Sequence, residues 1–350
     1  IQLSLTGKNN REPSSEKRGT PDRAQSLPRR RSASWNLSEV NWEPSGTLGT
    51  VSNMSKFLKA GMGAIHTAAL TTTVNDAGAT TTQSILTSVT GLAVGDVIAI
   101  EVGGSGLFQA TRIKTIATNT VTFDALTAAP SNGAAVLHGS TYSLTNNITE
   151  SLALYKYFNA GGFKQAVYGA VVDQIEIDFD GTKEVKLALQ GPAAVYGDSA
   201  GGAAVQSKPA AHTTVGTPIG GMVGQFSVNG AAFPVIMVKA KAGNQIALRN
   251  KELGTSIASG IGGRNNLRDA SVDITFFMEN QALVALSHSN ARGVLRCIVG
   301  NTSGSMVAMV MPGVEFEIPD VGGEVGLKEI TISGNAYATS GNDAMFLAEL

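Results

Sequence analysis

Apolar and polar residues alternate along much of the chain, which is the pattern of strands that are buried on one face. The clearest example is residues 174–180, where three apolar residues alternate with polar, mostly acidic ones. Asp180 and Gly181 then provide a hairpin turn signal, and residues 184–190 alternate as the partner strand. The same alternation predicts further strands at residues 32–41, 272–276, 313–318 and 329–333.

Two segments instead repeat their apolar residues about every 3.6 positions, as an amphipathic helix does. Residues 53–60 follow Ser52, a residue type that caps helices, and residues 281–288 follow Asn280. Residues 151–158 fit a helix or a strand equally well. The pattern therefore predicts a mainly β protein with a short helix beside the strands.

Residues 67–142 differ from their surroundings, because they are rich in Thr, Ala and Gly and nearly free of Lys and Glu. Short strand patterns recur there about every ten residues, which predicts a small sandwich or barrel with its own core. These patterns lie at residues 84–89, 96–101, 111–115, 120–123 and 135–137. We therefore expect an N-terminal arm at 1–31, a main β domain at 32–66 and 143–350, and an inserted β module at 67–142.

The first 31 residues are polar, contain three prolines and show no apolar periodicity, which predicts an extended arm. Eight basic and three acidic residues give the arm a net charge of +5, so the remainder carries −6 of the total of −1. We expect the arm to dock on the acidic surface of a neighbouring copy, with nucleic-acid binding and a solvated tail as alternatives. The residues assigned to this contact are Arg18, Arg23, Arg29, Arg30 and Arg31.

The composition limits the class of protein. The 350 residues are 43% hydrophobic and 15% charged, with 41 Gly and 11 Pro, which excludes a disordered or collagen-like chain. No apolar stretch approaches the ~20 residues of a membrane helix, and no secretory signal is visible. The single cysteine, Cys297, lies in an apolar run, and we expect a buried residue compatible with a reducing compartment.

Residues 197–202 read GDSAGG and match the G-x-S-x-G string of a nucleophile elbow, which is similar to that of hormone-sensitive-lipase-like esterases. That chemistry needs a buried strand before Ser199 and a helix after it, whereas Pro192 precedes it and Pro209 follows it. We expect residues 191–225, which are rich in Gly and Ala, to form a long contact loop. A serine esterase that uses Ser199 is the alternative.

The remaining candidates for chemistry are isolated. The four histidines, His66, His138, His212 and His288, show no spacing typical of a metal site, and no phosphate-binding glycine motif is present. The sequence therefore predicts no catalytic residue, no metal and no cofactor, and we expect the protein not to be an enzyme.

Acidic residues concentrate on the polar faces of the predicted strands. A single copy would expose them as the solvated face of a sheet. In a closed ring of copies the same face would line a negative bore, along which DNA is repelled and slides without being held. The residues assigned to this bore are Glu176, Asp178 and Asp180 first, and Glu315 and Glu317 second.

Three stretches together resemble the major tail tube protein of long-tailed, siphovirus-like bacteriophages. The first is RSASW at 31–35, followed by PSGT at 44–47, FL at 57–58 and GMG at 61–63. The second is YGAVVDQI at 168–175, and the third is MPGVEF at 311–316 with GNDA at 341–344. The similarity covers residues 31–63 and 143–350, and it depends on the order and spacing of the three stretches.

The resemblance implies two packed antiparallel β-sheets, in a β-sandwich or barrel, with a flanking helix. It implies hexameric rings that stack into a tube, with sheet edges joined between neighbours and with the arm and the long loop locking successive rings. It implies a structural virion protein, assembled in the host cytoplasm on a tape-measure protein and bounded by tail terminator and tip proteins. Double-stranded DNA would pass through this tail tube during ejection without specific binding, and no membrane is involved.

A β-rich surface or adhesin module that binds carbohydrate is the second hypothesis. Thr-rich strands and few charges suit it, whereas two Trp and six Tyr are few aromatic residues for sugar platforms. Images of the purified protein separate the two hypotheses, since tubes or rings support the first and monomers support the second.

Overall fold

The computed structural model describes residues 2–10, 30–104, 106–145, 150–158, 164–199, 219–221, 223–249, 260–264, 269–277, 281–289, 291–319, 329–339, 341 and 343–350. These residues form a mainly β structure with two short helices, as the sequence predicts. Twenty strands belong to one hydrogen-bonded sheet, and every strand pair among the described residues is antiparallel.

The elements follow in chain order. The first half contains β1 (Gln2–Asn10), β2 (Arg30–Asn41), α1 (Ser55–Met62), β3 (Gly63–Thr73), β4 (Gln83–Ile85), β5 (Val97–Glu101), β6 (Phe108–Ala117), β7 (Thr120–Phe123), β8 (Ala135–Leu144), β9 (Leu152–Tyr157), β10 (Lys164–Ala170) and β11 (Gln174–Asp180). The second half contains β12 (Lys186–Ser199), β13 (Gly224–Val228), β14 (Ala231–Ala232), β15 (Met237–Gly243), β16 (Ile246–Leu248), β17 (Ile261–Arg264), β18 (Asp269–Phe277), α2 (Gln281–His288), β19 (Gly293–Val299), β20 (Val307–Phe316), β21 (Glu329–Ala336) and β22 (Phe346–Glu349).

The N-terminal arm is partly a β-hairpin. β1 pairs with β2 over nine residues, from Gln2 opposite Ser38 to Asn10 opposite Arg30. The sequence analysis predicted the strand at 32–41 but not its pairing with residues 2–10, because only Leu3 and Leu5 give β1 an apolar face. Both leucines pack against the main hydrophobic core. The first ten residues of the arm therefore contain a strand of the sheet. Residues 11–29 lie outside the described part of the chain.

The central part of the sheet runs in the order β2, β12, β11, β15, β18, β21, β20. The predicted hairpin of residues 174–190 is confirmed, with Gln174 opposite Gln190 and Asp178 opposite Lys186. β12 is longer than predicted and runs to Ser199, pairing with β2 on one edge and with β11 and then β10 on the other. The predicted loop at 191–225 is therefore wrong for residues 191–199.

Gly191 explains why this part of β12 looked like a loop. A Cβ atom at residue 191 would lie 1.9 Å from the backbone oxygen of Val171, so only glycine fits where these two backbone segments approach each other. Pro192 follows it, and its carbonyl accepts a hydrogen bond from the Val171 N–H at 3.0 Å. Glycine and proline usually mark turns, but here they lie within a strand, where the backbone approaches that of Val171 closely.

The helices lie close to their predicted positions. α1 begins two residues later than expected, because the Ser52 hydroxyl accepts a hydrogen bond from the Met54 N–H in a turn before the helix rather than capping it. Gly63 ends α1 in the left-handed conformation, and its N–H donates to the Lys59 carbonyl. α2 coincides with the prediction, and the ambiguous segment 151–158 contains the strand β9.

Residues 67–142 have a hydrophobic core of their own. It contains Val74, Leu86, Ile98, Ile100, Val102, Ile113, Val121, Phe123, Leu126, Ala134 and Val136. β3 and β8 pair along their lengths and carry the chain into and out of this module. We call residues 67–142 the module and the other described residues the body.

The module also shares buried surface with the body, because β5 is buried on both faces and one of them packs against body residues. Ile98 and Ile100 point into the module core, whereas Val97 and Ala99 pack in a separate cluster with Met306 and other body residues. In addition, β8 pairs with β22 of the body. The module therefore packs directly against the body and is not connected to it only by a linker.

This shared surface predicts cooperative unfolding. Phe123→Ala removes a buried ring from the module core and should lower the free energy of unfolding by about 3–5 kcal/mol. Denaturant unfolding is followed by far-UV circular dichroism, which reports all strands, and by fluorescence of Trp35 and Trp42, which both lie in the body. We expect both signals to shift together.

Phe276→Ala in the body core is the matched control and should shift both signals by a similar amount. A Phe123→Ala protein that loses circular dichroism early but keeps the fluorescence transition of the wild type would show that the module unfolds independently.

Candidate functional site

The outward side chains of six adjacent strands form a continuous polar surface, which we call the charged face. Its position follows from the register, since Asp178 of β11 lies opposite Lys239 of β15, which in turn lies opposite Asp273 of β18. The opposite face of β11 is buried, as the sequence predicts. The charged face contains Lys186, Glu176, Asp178, Lys239, Lys241, Asp273, Ser333, Asn335, Glu315 and Glu317.

Lysines of β15 neutralise the acidic residues of the strands on both sides. The Lys239 ammonium contacts Glu176 Oε1 and lies 3.8 Å from Asp178 Oδ1. Lys241 Nζ lies 3.6 Å from Asp273 Oδ2, which also accepts, through Oδ1, a hydrogen bond from the Ser333 hydroxyl at 2.7 Å. The sign of the charge therefore alternates over β12, β11, β15 and β18, whereas β21 contributes only neutral residues and β20 carboxylates. The charged face has three lysines and five carboxylates, so its net charge is −2, and its place on a bore stays a prediction.

Burial and charge pairing set the ionisation of this face. Desolvation raises the pKa of Asp178, with Lys239 opposing the shift and Glu176 adding to it. The hydrogen bond to Glu176 raises the pKa of Lys239, against the effect of desolvation. Lys239 therefore stays charged at neutral pH and is the cation that makes two neighbouring carboxylates tolerable.

Asp180 has a local role at the end of β11. Its carboxylate accepts hydrogen bonds from the Thr182 N–H and hydroxyl, each at 2.8 Å, and from Lys183 Nζ at 2.9 Å. Desolvation acts to raise the pKa of Asp180, but these contacts outweigh it and lower the pKa. Asp180 therefore stabilises the hairpin turn.

Glu315 and Glu317 lie at the far side of the charged face. Glu315 Oε2 is 3.8 Å from Arg292 Nε, and Glu317 Oε1 accepts a hydrogen bond from Asn335 Nδ2 at 3.2 Å. The structure therefore places these two residues on the same surface as Glu176 and Asp178, as expected, but with polar partners of their own.

The residues assigned to contacts between copies are only partly described. Arg18, Arg23 and Arg29 lie outside the described residues, and Arg30 and Arg31 are the first residues of β2, paired in register with Asn10 and Asn9. Of the expected contact loop, residues 200–218 and 222 lie outside the described residues. The prediction that these segments join neighbouring copies stays a prediction.

Two other sequence candidates have defined places. Ser199 is the last residue of β12, in register with Lys164 of β10, and the residues that follow it lie outside the described part of the chain. Cys297 is buried, as predicted, and burial raises the pKa of its thiol to about 12. A thiol with that pKa is inert at neutral pH.

The structure also brings together residues that the sequence analysis treated as isolated. His66 of β3, His138 of β8 and Asp96 before β5 converge at the junction of the module and the body. Their separations along the chain match no ligand motif, because the contact arises from the pairing of β3, β5 and β8. The only sequence signal is that two of the four histidines lie near the two ends of the module, His66 just before it and His138 near its last residue.

No protein-family model matches the chain, and the search of curated proteins finds no match. No described helix is long and apolar enough to cross a membrane.

Lys239→Met tests the charge pairing of this face. The change leaves Glu176 and Asp178 without their shared cation, so we expect the free energy of unfolding to fall by about 1 kcal/mol at pH 7. The loss should fade as the pH falls and Asp178, whose pKa is raised by desolvation, takes up a proton and no longer needs a cation. Lys183→Met is the control, because the Lys183 side chain is 66% exposed and pairs only at the turn. Equal losses for the two variants at pH 7 would contradict the special role of Lys239.

Proposed function

We propose that this protein is a structural subunit that assembles with copies of itself, in hexameric rings stacked into a tube of the phage tail kind. The observation that carries the proposal is the hairpin of β1 and β2. Its outer strand is nine residues long and pairs in register with β2 along one edge only, among the described residues. An edge of that length is a template for a strand of a neighbouring copy.

The proposal includes two packed antiparallel sheets in each subunit. The support is the main core, which collects the inward residues of β11, β15 and β18 together with those of β13, β19 and β20. Inward side chains of two groups of strands that meet in one core are typical of a β-sandwich. α1 packs its Leu58 and Met62 into the same core as the flanking helix.

The charged face is the candidate wall of the bore. Both lysines of β15 have carboxylate partners, so a passing phosphate meets no unpaired cation at Lys239 or Lys241. Binding of DNA depends on cations that are free to replace counterions around phosphates. A wall whose lysines are already neutralised would let double-stranded DNA pass without holding it.

In this proposal the protein is a component of the virion tail and is not an enzyme. A tape-measure protein would set the length of the tube, and terminator and tip proteins would close its ends. The module would lie on the outside of the tube, and residues 1–31 with the segment after β12 would join successive rings.

A carbohydrate-binding surface module is the second candidate, and one cluster favours it. The ring of Tyr155 lies 6.3 Å from that of Tyr157 and 5.9 Å from that of Tyr168, between centroids, on the neighbouring strands β9 and β10. Tyr168 is 40% exposed. Aromatic side chains that are partly open to solvent are a possible platform for sugar rings.

Deletion of residues 1–31 tests the assembly. The pairing of β2 with β12 begins at Ala33 and is kept, so the truncated subunit should fold and show the circular dichroism of a β protein. We expect it to form no long tubes in negative-stain images, whereas the full chain forms them. The control replaces the five arginines assigned to the arm with Gln, which keeps the hairpin and separates its pairing from its charge.

Tubes formed in normal yield by the truncated protein would contradict the role of the arm. A full-length protein that stays monomeric and binds glycans, with binding lost in Tyr168→Ala, would favour the second candidate.

Glu176→Gln combined with Asp178→Asn tests the bore. The double variant frees Lys239 in every copy, so we expect tubes that still assemble but now retain short double-stranded DNA at low salt. Co-sedimentation measures the retained DNA. Adding Lys239→Gln to the double variant removes the freed cation and should restore the wild-type result. Equal retention by all three proteins would show that the charged face does not contact DNA.

A further inference from the structure

Three potential metal ligands meet at the junction of the module and the body. His66 Nδ1 lies 2.8 Å from Asp96 Oδ1, and His138 Nε2 lies 3.5 Å from Asp96 Oδ2. One ligand atom from each residue falls within a set whose members are all within 4.8 Å of one another. Three ligands of a tetrahedral ion at 2.0–2.1 Å would be about 3.3 Å apart, so the cluster needs only small shifts to hold one.

A β-bulge orients His138. The register of β3 and β8 shifts between Thr67 and Leu70, and the displaced carbonyl of Ala68 accepts a hydrogen bond from His138 Nδ1 at 2.7 Å. This contact assigns the ring proton to Nδ1, so the lone pair of Nε2 points toward Asp96. A backbone carbonyl that binds the second ring nitrogen in this way is the usual outer partner of a metal-binding histidine.

The contact between His138 and Asp96 has the spacing of two metal ligands. Because His138 Nδ1 binds the Ala68 carbonyl, Nε2 is the ring atom that faces Asp96 Oδ2, at 3.5 Å. Two ligands of one tetrahedral ion would lie about as far apart. The Thr141 hydroxyl accepts the Val97 N–H at 2.9 Å and donates to Nε2 over 3.4 Å, a long hydrogen bond that an ion would replace.

The cluster is rigid on one side and open on the other. The side chains of His138 and Asp96 are 0% and 3% exposed, and Asp96 Oδ2 also accepts the Ala93 N–H at 2.7 Å. His66 is 45% exposed and lines an open groove of about 620 Å³, through which an ion and water can enter.

The other charged residues of the groove are paired with one another. Arg112 lies 3.3 Å from Asp124 and 2.7 Å from Asp343, and Lys114 lies 2.8 Å from Asp124. Arg112 and Lys114 therefore pair with other carboxylates, and the side-chain partners of the Asp96 carboxylate are His66 and His138.

We propose that His66, Asp96 and His138 bind a divalent transition-metal ion of the Zn²⁺ type, with water from the groove completing its coordination. Two imidazole nitrogens and one carboxylate oxygen suit Zn²⁺ and its neighbours in the first transition row, whereas Mg²⁺ and Ca²⁺ prefer oxygen ligands alone. The ion links β3, β8 and the start of β5, and so it fastens the module to the body.

The test is a titration of the full chain after treatment with a chelator and dialysis. We expect calorimetry with ZnCl₂ to give one ion per chain and MgCl₂ to give no heat. A hundred-fold excess of Zn²⁺ over its dissociation constant should raise the thermal midpoint by about 3–4 °C. Binding should weaken at pH 5.5, because protonated imidazoles do not bind metals.

Variants separate this site from adventitious binding. His66→Ala removes the exposed ligand, and Asp96→Asn keeps the shape of a buried ligand but removes its charge. Loss of a residue that only supports a metal ligand typically weakens metal binding ~10-fold, so each of these variants should weaken Zn²⁺ binding by at least that factor. His288→Ala, on α2 and outside the cluster, is the control and should bind like the wild type. No uptake of Zn²⁺ by the wild type, or equal affinity of His66→Ala and His288→Ala, would overturn the proposal.

Discussion

The pairing of β12 with β2 is the interaction on which the rest of the body depends. β12 is fourteen residues long, and its other edge carries β11 along its first part and β10 along its second. β2 in turn holds β1 on its outer edge. One pair of strands therefore fixes the register of three others, β1, β10 and β11. Because a shift by one residue would turn every inward side chain outward, this single register also decides which residues form the charged face.

The predictable parts of the fold are those with a strong local pattern. β11, the start of β12 and α2 were predicted because their apolar residues are large and regularly spaced. β15 was missed because two of its three inward residues, Ala240 and Ala242, are too small to stand out beside its lysines. Residues 191–199 were mistaken for a loop because Gly191 meets a steric demand that comes from Val171, twenty residues earlier in the chain.

The candidate site likewise contains features that a single segment predicts and features that depend on contacts between distant segments. The acidic residues of β11 were recognised from the sequence, but the lysines that pair with them were not, because these lysines belong to the strand that was missed. The convergence of His66, Asp96 and His138 needed the registers of three strands and the position of one bulge. No pattern within a single segment contains that information.

The burial of β5 on both faces limits how this protein can change during evolution. An insert joined by a flexible linker can be exchanged between relatives as a cassette, because its surface and that of its host vary independently. Here Val97 and Ala99 sit against the body while Ile98 and Ile100 sit in the module. A foreign module would have to present side chains of similar size at the positions of Val97 and Ala99. Substitutions in the module and in the body are therefore expected to accumulate together.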